Sequence, residues 1–210
     1  MSVKENLRQV RGSIPEGVEL VAVSKFHPVE ALQEAYDEGQ RVFGESRANE
    51  LVAKAKVMPV DVKWHFIGHL QTNKVRQILP YVSLVHSVDS EKLLRLIDSE
   101  SVRAGKVTDV LLQLHVAKEE TKFGFAPEEL TELSATGIFS ELTGVNVIGV
   151  MGMASNVDDE NRIRDDFREI RRTFDSLGAS AFDGKDDFRV VSMGMSHDWH
   201  MAVEEGGNMI

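Results

Sequence analysis

The stretch "VELVAVSKFHPVEALQEAYDEG", Val18 to Gly39, changes period halfway along. Val18 to Ser24 is almost wholly apolar or small, as a strand covered on both faces must be. From Pro28 onward, Val29, Leu32 and Tyr36 recur at spacings of three and four, which puts them on one face of a helix. A buried strand therefore runs into an amphipathic helix, and Lys25 stands at the junction.

The same unit repeats along the chain. Apolar strand candidates follow at Val42 to Glu45, Val62 to Gly68, Leu84 to Val88, Thr108 to His115, Val145 to Met153 and Phe188 to Met195. Helical patterns lie between them. Ser90 is placed to cap the helix that follows it, and Ile163, Phe167, Ile170 and Phe174 form one stripe that runs to Gly178. Strict alternation with seven strands, and an eighth begun at Asn208 to Ile210, predicts an α/β fold of the (β/α)8 TIM-type barrel class. A doubly wound open sheet is the alternative. No linker or low-complexity run divides residues 1–210, so a single domain is expected. "GASAFDGKDD", Gly178 to Asp187, reads as a polar loop within it.

Composition narrows the function classes. The 210 residues carry 34 acidic and 24 basic side chains, a formal net charge of −10, which offers nucleic acid little attraction. There is no cysteine, so disulfides, thiolate nucleophiles and Cys-based metal sites are excluded. No stretch approaches the roughly 20 apolar residues of a membrane span, and "MSVKENLRQVRGSI" lacks the apolar core of a signal peptide. A cytoplasmic monomer, bound to neither membrane nor nucleic acid, is the expectation. His65 and His69 are four apart but straddle a strand end and a glycine, so no metal site is expected.

In a barrel, chemistry sits at the C-terminal ends of the strands. Lys25 ends the first strand and shares the inward parity of Val21 and Val23. Partial burial there disfavours an ammonium, and a neutral amine attacks an aldehyde. The competing reading is a lysine that reaches solvent or pairs with Glu45. At the seventh strand's end, Ser196 follows Gly194 and precedes a helix start, the type of place where barrels bind phosphate; the equal alternative is that Ser196 only caps that helix. "MGMAS", Met151 to Ser155, and "MGMS", Met193 to Ser196, end successive strands; their glycines would let the backbone approach a ligand, or the likeness is coincidence. An amine and a phosphate site separated by one strand suggest pyridoxal 5′-phosphate (PLP), which carries an aldehyde and a phosphate on one small ring.

Six motifs in register, "AVSKFHP", "FGESRANEL", "KWHFIGHLQTNK", "EETKFGF", "GVMGMAS" and "SMGMSHDWHMAVEEG", cover nearly the whole chain. Together they resemble the YggS/PROSC group of PLP-binding proteins, the PLP homeostasis proteins, whose barrel is similar to that of bacterial alanine racemase. The resemblance implies PLP held as a Schiff base on Lys25, the phosphate held by Ser196 and neighbouring backbone, and Met153, Ser192 and Met195 near the cofactor. It implies a carrier or regulator of PLP supply, with PLP-dependent apoenzymes as partners and no established turnover. Two departures stand out. Ser46 replaces the family's usual asparagine after Gly-Glu, a shorter contact. The family's Arg-Ile-Gly, which reaches the ring nitrogen and the phosphate, would begin where Ile210 ends the sequence, so a natural chain continuing past Ile210 is expected. Other readings remain: a PLP-dependent amino-acid racemase or lyase, and a PLP-independent barrel enzyme acting on a small phosphorylated substrate.

Overall fold

A computed structural model describes residues 2–116 and 123–210. Seven parallel strands form one sheet in sequence order among the described residues. They are β1 (Ala22–Val23), β2 (Val42–Glu45), β3 (Lys63–Phe66), β4 (Val82–Val88), β5 (Thr108–Leu114), β6 (Val145–Gly152) and β7 (Val190–Ser192). The helices between them include α1 (Val3–Ser13), α2 (Val29–Asp37), α3 (Ala48–Ala55), α4 (Val75–Ile78) and α5 (Glu91–Arg103). After β5 come α6 (Pro127–Ala135), α7 (Ile138–Glu141), α8 (Glu160–Gly178) and α9 (Trp199–Glu204).

The last three residues join the two edges of the sheet. Met209 bridges Glu19 on one side and Ser192 on the other, both in parallel. The Glu19 and Val21 amides donate to Asn208 and Ile210 oxygens, and the Met193 amide donates to Met209 O at 3.1 Å. Three residues therefore suffice to satisfy edge groups that an open sheet would leave unpaired. The stretch read as an apparently truncated eighth strand acts as the closing element.

Two apolar layers follow from closure. Between sheet and helices lies the larger core, with Phe43, Leu51, Ile97, Leu112 and Phe167 almost fully buried. Inside the ring lies a smaller cluster of Val21, Val42, Leu84, Leu111, Met151 and Met209, contributed by strands all round. Such interior layers are what make a barrel a packed core.

Several local expectations need adjusting. The first strand was expected over Val18 to Lys25, but only Ala22–Val23 pair with β2. Earlier residues bond the closing segment, and Ser24 leads into a turn. The α8 helix runs through Gly178 and is capped by Ala179, so Gly178 is its last residue. In the Gly178–Asp187 loop, Phe182 is buried and stacks on Phe188 with ring centroids 4.1 Å apart, so this loop is part of the core. Ser90 caps α5 as expected, accepting from the Leu93 amide at 3.3 Å.

Candidate functional site

All strands are parallel, so their C-terminal ends open at one end of the ring. Lys25, Ser46, Met153, Ser192, Met195 and Ser196 all end strands or follow them directly, and closure through Met209 sets the β7 end beside the β1 end.

Lys25 is exposed in the turn after β1, two residues past the last strand position. The desolvation expected of an inward strand residue is therefore absent. The expected alternative partner is also taken: Glu45 pairs with Lys54, at 2.6 Å, and not with Lys25. Beside Lys25, Val23 (49% exposed) and Phe26 (66%) leave apolar surface open, as do Met153 (38%) and Met195 (43%) across the mouth. Ser46 is half-buried at the end of β2 and lines a cleft of about 450 Å³ with Arg47, Asn49, His69 and Lys74. Gly68 packs on Ser46: a Cβ there would stand 2.4 Å from the Ser46 carbonyl oxygen.

The loop after β7 is pinned at both ends. Asp198, buried, accepts the Met195 amide at 2.5 Å, and the Trp199 amide donates to Met195 O at 2.9 Å. Ser196 is exposed, and the Ser196 and His197 amides donate to no partner among the described residues. The loop thus offers a hydroxyl and two amides to an anion. The loop after β6 is fixed differently: Asp166 of α8 accepts the Ser155 amide at 2.8 Å. The glycines of the paired Met-Gly-Met motifs serve packing. A Cβ on Gly152 would meet Ile170 of α8 at 2.5 Å, and one on Gly194 (φ +100°) would meet Ala202 of α9 at 2.8 Å. Each lets the following helix close on its strand.

Sequence reasoning missed one arrangement. Ser192, His86 and His65 are buried and hydrogen-bonded in series: Ser192 Oγ lies 3.2 Å from His86 Nδ1, and His86 Nε2 lies 3.0 Å from His65 Nδ1. Burial pushes the His65 imidazole down to about 4, with the Lys63 charge adding to it. Burial holds His86 well below the ordinary histidine value, and His65 adds a smaller push. Two neutral imidazoles thus support Ser192 from beneath. The only sequence signal was His86 in the apolar strand "LVHSV", at alternate spacing from inward Leu84.

His69 bonds Asp89 at 2.9 Å and stacks on Phe123 at the rim. Among the described residues, no three His, Asp or Glu side chains converge as metal ligands, and no helix is long and apolar enough to cross a membrane. Of the "EETKFGF" motif, residues 119–122 lie outside the described residues.

The family model for the alanine racemase N-terminal domain matches residues 1–210. A pyridoxal phosphate homeostasis protein of Aquifex aeolicus is 37% identical over 196 residues, covering 91% of this chain and 82% of that protein. One of Schizosaccharomyces pombe is 36% identical over 199 residues, covering 91% and 79%. The structure of PipY from Synechococcus elongatus superposes with a TM-score of 0.91 without PLP and 0.87 with PLP bound. Its identity to this chain is 34% and 33% respectively, and each superposition covers 100% of this chain and 96% of that one. Alanine racemase of Clostridium difficile shares the fold alone, at 14% identity and TM-score 0.76, with this chain covering 53% of it. With a barrel closed through Met209, its candidate residues gathered at one mouth, and a family match over its full length, the chain belongs to the alanine racemase N-terminal domain family and, within it, to the pyridoxal phosphate homeostasis proteins.

Proposed function

We propose that this chain binds PLP covalently at Lys25 and serves intracellular PLP homeostasis, without turnover of its own. The observation that carries the reading is the pairing at the mouth. An exposed lysine follows β1, and a loop whose Ser196 hydroxyl and two amides have no partner among the described residues follows β7, with the closing segment between their strands. PipY, at 33% identity, has been solved with PLP bound.

The residues fit the group. PLP supplies an aldehyde carbon that condenses with an amine, forming a C=N bond and releasing one water. Lys25 Nζ is the amine; exposure gives the aldehyde access. Ser196 Oγ and the Ser196 and His197 amides would donate to the phosphate oxygens. Ser192, backed by His86, would offer a hydroxyl to the cofactor, and the exposed Met153 and Met195 would supply apolar surface to it. Ser46 would offer a short polar contact on the β2 side. The exposed position of Lys25 would also leave a bound cofactor open to an acceptor apoenzyme.

Ser196→Ala removes one donor to an anion, so PLP affinity should fall about 10-fold or more, since such a bond contributes ~1.5–3 kcal/mol. Pyridoxal, without the phosphate, should bind as before. Equal loss for both ligands would deny Ser196 the phosphate role.

The racemase reading is favoured by the fold, and it needs a base on each face of Cα. Tyr36 sits in α2 with its hydroxyl donated to Asp61 at 2.7 Å, and Tyr81 precedes β4 at the far end of the barrel. Neither supplies a second base at the mouth. Loaded protein in heavy water should therefore leave the alanine Cα proton in place; exchange at ~1 s⁻¹ or faster would restore the racemase reading.

A further inference from the structure

Lys25 itself makes no ion pair among the described residues, but both of its neighbours are held by one ion cluster. Ser24 is buried. It donates its hydroxyl to Glu45 Oε1 at 2.6 Å and its amide to Gly44 O at 2.9 Å. Its carbonyl accepts from Lys54 Nζ at 2.8 Å. Lys54 Nζ also bonds Glu45 Oε1 at 2.6 Å and lies 3.6 Å from Glu50 Oε2. On the other side of Lys25, the Phe26 amide donates to Glu50 Oε2 at 3.0 Å.

Phe26 needs such support. Its φ of +66° lies in the left-handed region that a bulky residue avoids. Its ring lies under the Arg47 guanidinium at 4.6 Å, and Arg47 in turn contacts Glu50 at 3.4 Å. The Phe26 amide is the largest influence holding the Glu50 carboxyl below its usual range, with the Lys54 charge also lowering it.

The side chains of Lys54 and Glu45 are 9% and 0% exposed. Lysine and glutamate are seldom buried this far unless paired, and burying such a pair is weak evidence of stabilisation. The use of this pair is geometric: β2 and α3 together fix the peptide groups on both sides of Lys25.

We propose that Lys54, acting through Glu45 and Glu50, is a positioning residue for Lys25: the cluster fixes the strained turn so that the Lys25 amine is presented at the barrel mouth ready to capture an aldehyde. The proposal rests on the reading of Lys25 as the point of covalent attachment. Its reaction is the condensation described above: the C–N bond forms, the aldehyde oxygen leaves as water, and no electrons are gained or lost.

The test compares the full chain with Glu50→Ala, with the double variant Glu45→Gln/Lys54→Met, and with Lys25→Ala. Glu50→Ala frees the Phe26 amide without stranding a buried charge. The double variant removes both buried charges together. Two ligands are used: PLP, and pyridoxine 5′-phosphate, which has the ring and phosphate but no aldehyde. The rate of covalent capture of PLP should fall about 100-fold in the Glu50 and double variants, as expected for a group displaced by about 1 Å. Pyridoxine 5′-phosphate should bind as to the unaltered chain, and Lys54→Arg, which keeps the charge, should lose less of the rate than the double variant. Equal weakening of both ligands would reduce the cluster to a structural role and overturn the proposal. So would unchanged capture by the Glu50 and double variants while Lys25→Ala abolishes it. If Lys25→Ala still captures PLP, the attachment reading fails first and the proposal falls with it.

Discussion

Lys25→Ala is expected to abolish covalent retention of PLP and the visible absorption of the loaded protein, leaving only the weaker hold of the phosphate loop and mouth. The fold should be indifferent. Lys25 is exposed and unpaired among the described residues, so the stability change should stay within about 0.5 kcal/mol, the usual range for such surface positions. Gel filtration of loaded protein with absorbance and melting curves reads both at once. A variant that keeps the visible band would contradict the assignment, and one that loses band and fold together would show that Lys25 is structural.

Acidification through the histidine range is expected to destabilise the protein. His65 is held neutral, with burial pushing it down to about 4, and burial also holds His86 well below its ordinary value. In the unfolded chain both return to about 6.5. Between those values the unfolded state binds more protons than the folded one, so stability rises with pH across this window. The contribution is complete above pH ~6.5 and is lost as the pH falls toward ~4; for His65 alone the full loss is about 3 kcal/mol, and about 2 kcal/mol by pH 5. Glu38, Glu50, Glu100 and Glu205 are held below the usual carboxylate range and act at lower pH. Denaturant unfolding at pH 7 and pH 5 separates the two sets. Equal stability at both would mean the imidazoles protonate without cost, contrary to their burial.

The alternation of buried strands and amphipathic helices was legible because each is a local pattern, and β2 (Val42–Glu45) was read to the residue. What closes the barrel was harder to read. Glu19 and Val21 were taken as part of an ordinary strand, yet their partners lie almost two hundred residues away in Asn208 to Ile210. The α1 helix escaped notice although Ser2 and Glu5 form a capping box and Val3, Leu7 and Val10 share a face, because Leu7 is its one buried residue and polar side chains dominate its sequence. It is held by polar contacts to α2, such as Arg8 to Glu38 at 2.7 Å.

At the site, the residue types at the strand ends were legible and their surroundings were not. Lys25 was expected to be desolvated by its strand; the turn exposes it instead, and the buried lysine nearby is Lys54. In sequence, Lys54 looks like an ordinary surface charge on α3, four residues after Glu50. Nothing local tells that its amine reaches Ser24, thirty residues earlier. The Ser192–His86–His65 series is hidden for the same reason, since it joins three strands.

The central claim is that Lys25 carries the cofactor. Loading the full chain with PLP, reducing it with borohydride, digesting it and mapping the modified peptide by mass spectrometry tests this most directly. The account predicts a reduced pyridoxyl phosphate group on Lys25. A group confined to Lys74, Lys122 or Lys54, with Lys25 unmodified, would contradict it.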